Sequence, residues 1–128
     1  MSPRATADRA PHPEPGAVVT KAALRAAERL ALPNRVLARV LGVSEATVSR
    51  IGGGTYELSP GSKPYELAVL FLRLFRSLDG ITGGDTLVSR AWLRNPHTVL
   101  GATPLSLIES VSGLVNVVAY LDARRALV

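Results

Sequence analysis

The sequence contains no cysteine, and only 5% of its residues are aromatic. Without thiols the chain can form neither disulfides nor thiolate metal sites, and it suits a reducing compartment such as the cytoplasm. The scarcity of aromatic side chains means that the interior must be largely aliphatic. Because 47% of the 128 residues are apolar, they suffice for one packed domain, or for two small ones that share a core.

Signals for secretion and for membrane insertion are also missing. No apolar segment of the length that a secretory signal needs follows Arg4 or Arg9 near the N-terminus. The most apolar stretch, Tyr65–Leu78, is too short to cross a bilayer and is interrupted by Arg73 and Arg76. We therefore predict a cytoplasmic protein that has no membrane partner.

The charge balance is basic. Fifteen lysines and arginines against ten acidic residues give a formal net charge of +5 at pH 7. A basic domain of this size favours a polyanion such as DNA, or an acidic protein surface, as its partner. Solubility alone would also account for the charge.

The segment Leu37–Ile51, LARVLGVSEATVSRI, has the spacing of a helix-turn-helix. Gly42 suits the tight turn because glycine tolerates a positive φ, and Ser44 offers its hydroxyl as the N-cap of the next helix. Val48 and Ile51 follow at helical spacing and point back at the preceding helix. A helical hairpin that only packs is the alternative, but the combination favours a helix-turn-helix.

The outward face of the second helix in this motif has the side chains expected at a DNA major groove. It combines short residues, which allow close approach, with hydroxyls and one guanidinium for base edges and phosphates. We predict that the DNA-binding residues are Ser44, Thr47, Ser49 and Arg50.

Helical periodicity continues on both sides of this motif. A first helix is predicted from a Thr20 N-cap to about Leu32, and a second one covers Asn34–Leu41. The glycines at 52–54 indicate a flexible connection, because the strand and the lysine of a phosphate-binding loop are both missing. Tyr65–Leu78 is apolar nearly all round, which predicts a helix with neighbours on two sides. It should end at Gly80, Gly83 and Gly84.

The C-terminal third of the chain predicts two further helical regions. Asp85 should cap a helix over 86–93, which Asn95-Pro96 ends because the residue before proline avoids the α region. Trp92 in this helix is expected to pack against the last one. Thr103-Pro104 starts the final helical region, which is predicted to break near Gly113 and then resume.

These elements together predict an all-α fold. A helix-turn-helix bundle over residues 17–80 is followed by a small helical domain over residues 81–128. The first sixteen residues are rich in proline and poor in large apolar side chains, so we predict that they form a disordered tail.

The segment from Ala91 to Gly113 resembles the toxin-binding domain of the Xre/MbcA/ParS antitoxin family. That family has a W-L pair, a proline with a following L-G, an S/T-P-L, two more apolar residues and a glycine before the final helix. Its members carry an Xre-like helix-turn-helix on the N-terminal side of this domain, as this chain does. Such residues would also suit any small helical core, but their order favours the family. The matching residues are Trp92, Leu93, Pro96, Leu100, Gly101, Thr103, Pro104, Leu105, Leu107, Ile108 and Gly113.

The resemblance implies a RES-domain toxin as partner, an enzyme that consumes NAD or transfers ADP-ribose. Members cover the toxin's NAD pocket and often repress the shared operon. We therefore expect operator DNA, homodimers and hetero-oligomers with the toxin. The chain shows no paired carboxylates of defined geometry, no activated serine and no metal cluster, so we expect neither an enzyme nor a cofactor. Glu109 and Asp122 are interpreted as solvated helix residues, and His97 as a surface histidine.

The C-terminal segment Asp122–Val128 is the part that we expect to inhibit the toxin. Its arginines could merely complement a helix dipole, but that would not account for the apolar end of the chain. A site that binds NAD should offer cationic donors and apolar walls. A terminal carboxylate could meet the donors, and leucine and valine side chains could meet the walls. The predicted toxin-binding residues are Asp122, Arg124, Arg125, Leu127 and Val128, with the domain around Trp92 and Leu105 as the holding surface.

A stand-alone transcriptional repressor with an ordinary C-terminal dimerisation domain is the competing prediction. The neighbouring reading frame discriminates between the two, because a toxin should be encoded beside its antitoxin. An enzyme is a distant third possibility.

Overall fold

The computed structural model describes residues 14–127, and over this range the chain forms helices and no strand. The all-α class predicted from the sequence is confirmed. Predictions that concern residues 1–13 or Val128 lie outside the described residues. The helices are α1 (Pro15–Arg29), α2 (Asn34–Leu41), α3 (Glu45–Gly52), α4 (Lys63–Thr82), α5 (Thr86–Arg94), α6 (Pro104–Leu107) and α7 (Val111–Arg125).

The first helix begins six residues earlier than predicted, because its N-cap is Glu14 and not Thr20. Pro15 occupies the first helical position, where its missing N–H costs nothing. The hydroxyl of Thr20 is buried inside the helix, where it donates to the carbonyl of Gly16 and accepts from the backbone N–H of Leu58, 2.6 and 2.8 Å away. The predicted tail boundary at residue 16 therefore falls inside α1. The helix ends at Arg29 instead of Leu32.

The helix-turn-helix forms as predicted. The bounds of α2 match the prediction, and Gly42 after it has a φ of 72° in the left-handed region. The hydroxyl of Ser44 accepts a hydrogen bond from the backbone N–H of Thr47 at 3.1 Å and so caps α3. Val48 and Ile51 are buried in the core that α1 and α2 share.

The central helix of the fold is α4. It packs against α1 and α2 on one side and against α7 on the other, which confirms the prediction of neighbours on two sides. It ends at Gly83, whose φ of 64° gives a left-handed C-cap. Gly80 does not end the helix, contrary to the prediction. It lies within α4, where a Cβ atom would come 3.3 Å from Nε of Arg125.

The C-terminal helices follow the predicted caps but not the predicted break. Asp85 caps α5 by accepting from the N–H of Val88, and Thr103 caps α6 ahead of Pro104. The chain breaks at residues 108–110, and Ser110 caps α7, so Gly113 lies in the first turn of that helix. A Cβ atom on Gly113 would come 1.9 Å from the carbonyl oxygen of Leu107. The glycine therefore permits a close approach of backbone and does not break a helix.

One continuous core joins the N-terminal and C-terminal halves. Its fully buried side chains include Leu30, which directly follows α1, Phe71 of α4, and Leu93 and Leu114 from the last helices. Polar contacts add to it, since Arg94 of α5 donates to the carbonyls at the end of α1, 2.8 Å and 3.1 Å away. The proposed division into residues 17–80 and 81–128 therefore passes through a shared interior.

Trp92 contacts the last helix, as expected, but it is only partly buried. Its ring stacks on Tyr120 of α7, with centroids 6.4 Å apart and planes 18° from parallel. Trp92→Ala should therefore lower the free energy of unfolding by about 2–3 kcal/mol, less than the loss of a fully buried aromatic. Urea denaturation measures this loss of stability. Val99, which is 74% exposed, provides the control, because Val99→Ala should change the free energy of unfolding by no more than about 0.5 kcal/mol. Equal stability of the two variants would show that Trp92 does not hold α5 to α7.

Candidate functional site

The exposed face of α3 contains most of the predicted DNA-binding residues. Ser44, Ser49 and Arg50 are exposed. Thr47, which was predicted to face outward, is buried at 8% exposed. Its hydroxyl is already the acceptor for two neighbouring side chains, so a direct contact between Thr47 and a base is not available in this conformation.

Thr47 instead orients Arg50. One guanidinium nitrogen of Arg50 donates to the Thr47 hydroxyl at 3.0 Å, and the Ser44 hydroxyl donates to the same oxygen at 3.0 Å. The guanidinium also lies over the ring of Tyr56, 5.7 Å from its centroid. Tyr56 was not identified from the sequence, because the loop that brings it back to α3 has no periodic pattern. Together these contacts hold one cation in a fixed place on the exposed face of α3.

Arg50→Ala should weaken operator binding by about 1–3 kcal/mol, because it removes the positioned guanidinium and leaves the core untouched. Fluorescence anisotropy with the promoter fragment of the chain's own operon measures the effect. Binding should also fall steeply as salt is raised, since cation–phosphate contacts release counterions.

Arg76→Ala is the matched control for this measurement, since it removes the same charge from α4, outside the two helices of the motif. It should leave operator affinity within about twofold. If Arg50→Ala binds operator DNA as tightly as the wild type, α3 is not the recognition helix.

Two carboxylates that were interpreted as solvated are in fact paired. Asp122 of α7 accepts from the Ser77 hydroxyl of α4 at 2.6 Å, and its other oxygen lies 2.6 Å from a guanidinium nitrogen of Arg73. Glu109 lies 3.5 Å from Nε of Arg39 on α2. The sequence could not indicate these pairs, because their members come from different helices. Asp122 thus joins α7 to α4 and is already engaged within the chain.

The other predicted toxin-binding residues lie at the exposed end of α7. Arg124 donates to the hydroxyl of Tyr120 at 3.2 Å, and Arg125 lies beside Gly80 on α4. Leu127 follows the last helical turn and is 83% exposed. Val128 is outside the described residues. An apolar side chain and two cations therefore occupy the same end of the molecule.

A small aromatic cavity lies next to this end. It has a volume of about 110 Å³, and its lining includes Trp92, His97, Tyr120 and Arg124. The His97 ring meets Tyr120 edge-on at 4.9 Å, so His97 is not the simple surface histidine that was predicted. Its Nδ1 atom is buried and has no hydrogen-bond partner among the described residues.

Two of the family-motif residues, Pro96 and Gly101, shape the loop between α5 and α6. Pro96 follows the last residues of α5, and Gly101 has a φ of 85°. The N–H of Gly101 donates to the carbonyl of His97 at 2.8 Å, and His97 donates in turn to the carbonyl of Ala102. This tight loop holds His97 beside Trp92.

Within residues 14–127, no group of three or more histidine, aspartate or glutamate side chains is placed to hold a metal ion. None of the helices in this range is long and apolar enough to cross a membrane.

The fold and these surfaces define a class of protein, in which an N-terminal helix-turn-helix shares its core with a C-terminal helical domain. Residues 9–73 match the family model for the antitoxin Xre-like helix-turn-helix domain, and residues 77–126 match that for the antitoxin Xre/MbcA/ParS C-terminal toxin-binding domain. The chain belongs to the Xre-like helix-turn-helix antitoxins, and the resemblance seen in the sequence is confirmed. None of the curated proteins matches the chain significantly.

The two matches carry general functional meaning. They support a type II antitoxin that has one domain for DNA and one for a protein toxin. Families of this kind are typically non-enzymatic.

Proposed function

We propose that this protein neutralises a RES-domain toxin, an enzyme that degrades NAD or transfers ADP-ribose, by covering the toxin's active site. The observation that carries the proposal is the exposed end of α7. Two arginines and the 83% exposed Leu127 lie there together, inside or directly after the match to the toxin-binding domain. An exposed leucine at the end of a helix has no role in the chain's own core.

We propose an inhibitory segment that is shorter than the predicted Asp122–Val128. Asp122 is held by Ser77 and Arg73, so it fixes the base of the segment and does not reach a partner. The part available for the toxin is Arg124 and the residues that follow it. Leu127 would fill an apolar wall of the NAD site.

We also propose that the antitoxin represses its own operon. The preorganised Arg50, with Ser44 and Ser49 beside it, supports contacts in the major groove. Dimers of helix-turn-helix proteins read two half-sites about one helical turn apart, so we propose that a homodimer binds the operator.

A test of the function is co-expression with the reading frame next to this gene. The expected result is a complex that co-purifies and runs as a hetero-oligomer in sizing, and in which NAD consumption by the toxin is absent. The toxin expressed alone should consume NAD. If the neighbouring product neither binds the chain nor consumes NAD, the proposed partner is wrong.

A stand-alone repressor is the second candidate function, and one observation is compatible with it. The exposed side of α7 carries Val111 and Val115, one helical turn apart, at 51% and 45% exposed. Such a face suits a homodimer contact as well as a toxin contact. Operator binding by a homodimer, with no protein captured from the neighbouring frame, would favour this alternative.

A further inference from the structure

A groove of about 750 Å³ lies where α4 meets α1 and α7, next to the base of the proposed inhibitory segment. Val19 of α1 forms one wall, and Arg125 of α7 belongs to the other. The floor comes from α4. The groove is open to solvent along its length, so its shape suits an extended or helical segment better than an enclosed small molecule.

The floor of the groove is apolar and about two helical turns long. Val69, Leu72 and Arg76 share one side of α4, since residues three and four apart lie above one another on a helix. Val69 is 45% exposed although it is a valine on the central helix of the fold. The distance along the axis from Val69 to Arg76 is about 10 Å, from the rise of 1.5 Å per residue.

The rim of the groove is cationic. Three arginines and a single carboxylate line it, and that carboxylate, Asp122, is already paired with Arg73. Arg76 and Arg125 form no ion pair with any residue of the described range 14–127. The groove therefore has two positive charges in excess beside an apolar strip, and a matching partner must supply carboxylates beside apolar side chains.

We propose that this groove docks an acidic amphipathic segment of the toxin, a proposal that rests on the proposed toxin partner. Carboxylates of the segment pair with Arg76 and Arg125, and its apolar face covers Val69 and Leu72. DNA is a poorer fit, because a phosphate backbone would leave the apolar floor uncovered. Small anions are a poorer fit for the same reason.

This position has a consequence for the extent of the toxin interface. Val19 and Val69 lie within the match to the helix-turn-helix domain, whereas Arg125 lies within the match to the toxin-binding domain. A segment in the groove therefore contacts both parts of the chain. The toxin interface extends beyond the C-terminal end of α7 to the N-terminal half.

The experiment measures the affinity of the full-length chain for the protein encoded beside it, with Arg76→Glu as the test variant. Arg76 is exposed, and Arg125 is avoided because it belongs to the proposed inhibitory segment. Arg35→Glu, an equal charge reversal at an exposed position of α2 outside the groove, is the matched control. We expect about a tenfold or greater loss of affinity for Arg76→Glu, a similar loss for Val69→Asp, and about a twofold change or less for Arg35→Glu.

Five outcomes are possible, and each one decides for or against the groove. The proposal is overturned if Arg76→Glu and Val69→Asp both bind the toxin as the wild type does while melting at its temperature. It is also overturned if Arg76→Glu weakens operator DNA instead, or if sizing shows that only self-association is lost. Failure of the wild-type chain to bind the neighbouring protein removes the proposed function and this inference together. A selective loss of toxin binding in both groove variants supports the groove.

Discussion

Gly113→Ala should destabilise the chain by about 3 kcal/mol or more, enough to abolish folding in a domain of ordinary stability. The added methyl would lie 1.9 Å from the carbonyl oxygen of Leu107 and 2.7 Å from its carbon. Both are backbone atoms, so no side chain can move aside. The loop from α6 would have to shift away from α7, and the buried Leu114 of the first turn would move with it.

Gly52→Ala provides the matched control for this glycine. Gly52 is the last residue of α3, and a Cβ atom there would meet nothing within 4 Å. Because alanine has the higher helix propensity, this change should stabilise the chain by up to about 1 kcal/mol. Thermal unfolding followed by circular dichroism compares the two. If Gly113→Ala melts with the wild type, the close approach of α6 to α7 has been described wrongly.

Removing residues 126–128 should restore the activity of the toxin while the antitoxin still binds it. A chain that ends at Arg125 retains α7, together with the contacts of Asp122 to Ser77 and Arg73. It loses Leu127, the side chain proposed to occupy the NAD site. We expect the truncated antitoxin to bind within about tenfold of the wild-type affinity, while toxin activity returns nearly in full.

The truncation point matters for this test. A chain that ends at Leu121 would also lose Asp122, so a structural failure could be mistaken for loss of the plug. Val99→Ser, which alters another strongly exposed apolar residue, is the control that should leave inhibition unchanged. If the chain ending at Arg125 still silences the toxin at saturating concentration, inhibition does not depend on the C-terminal plug.

The elements predicted correctly from the sequence are those that local chemistry determines. The N-caps Ser44, Asp85 and Thr103 act within three residues of themselves, and Gly42 ends α2 through its own backbone freedom. Two of the errors in the helix bounds have a tertiary cause. Thr20 resembles an N-cap, but its hydroxyl accepts a hydrogen bond from the N–H of Leu58, which is distant in sequence. Gly113 in α7 allows the backbone carbonyl of Leu107 to approach closely.

The same distinction between local and tertiary causes applies to the candidate sites. The exposed Ser49 and Arg50 follow from helical spacing in α3, since this period needs no knowledge of other elements. Thr47 was predicted to face outward, but it is buried at 8% exposed. Tyr56 and the pairing of Asp122 were missed because each joins elements that loops or long stretches of sequence separate. Their roles in binding DNA and toxin are still predictions.

The uninterrupted α4 determines how this antitoxin could exchange partners. The two family matches meet between residues 73 and 77, in the middle of that helix, so neither can be transplanted there without joining two half-helices. A chimera joined at Gly83 would keep α4 whole, but α4 would then pack against an α7 from another protein. A chimera joined in the loop over 53–62 would pack α4 against an α1 from another protein. New toxin specificity in such proteins should therefore arise by paired substitutions across these helix contacts, and recombination should succeed only between close relatives.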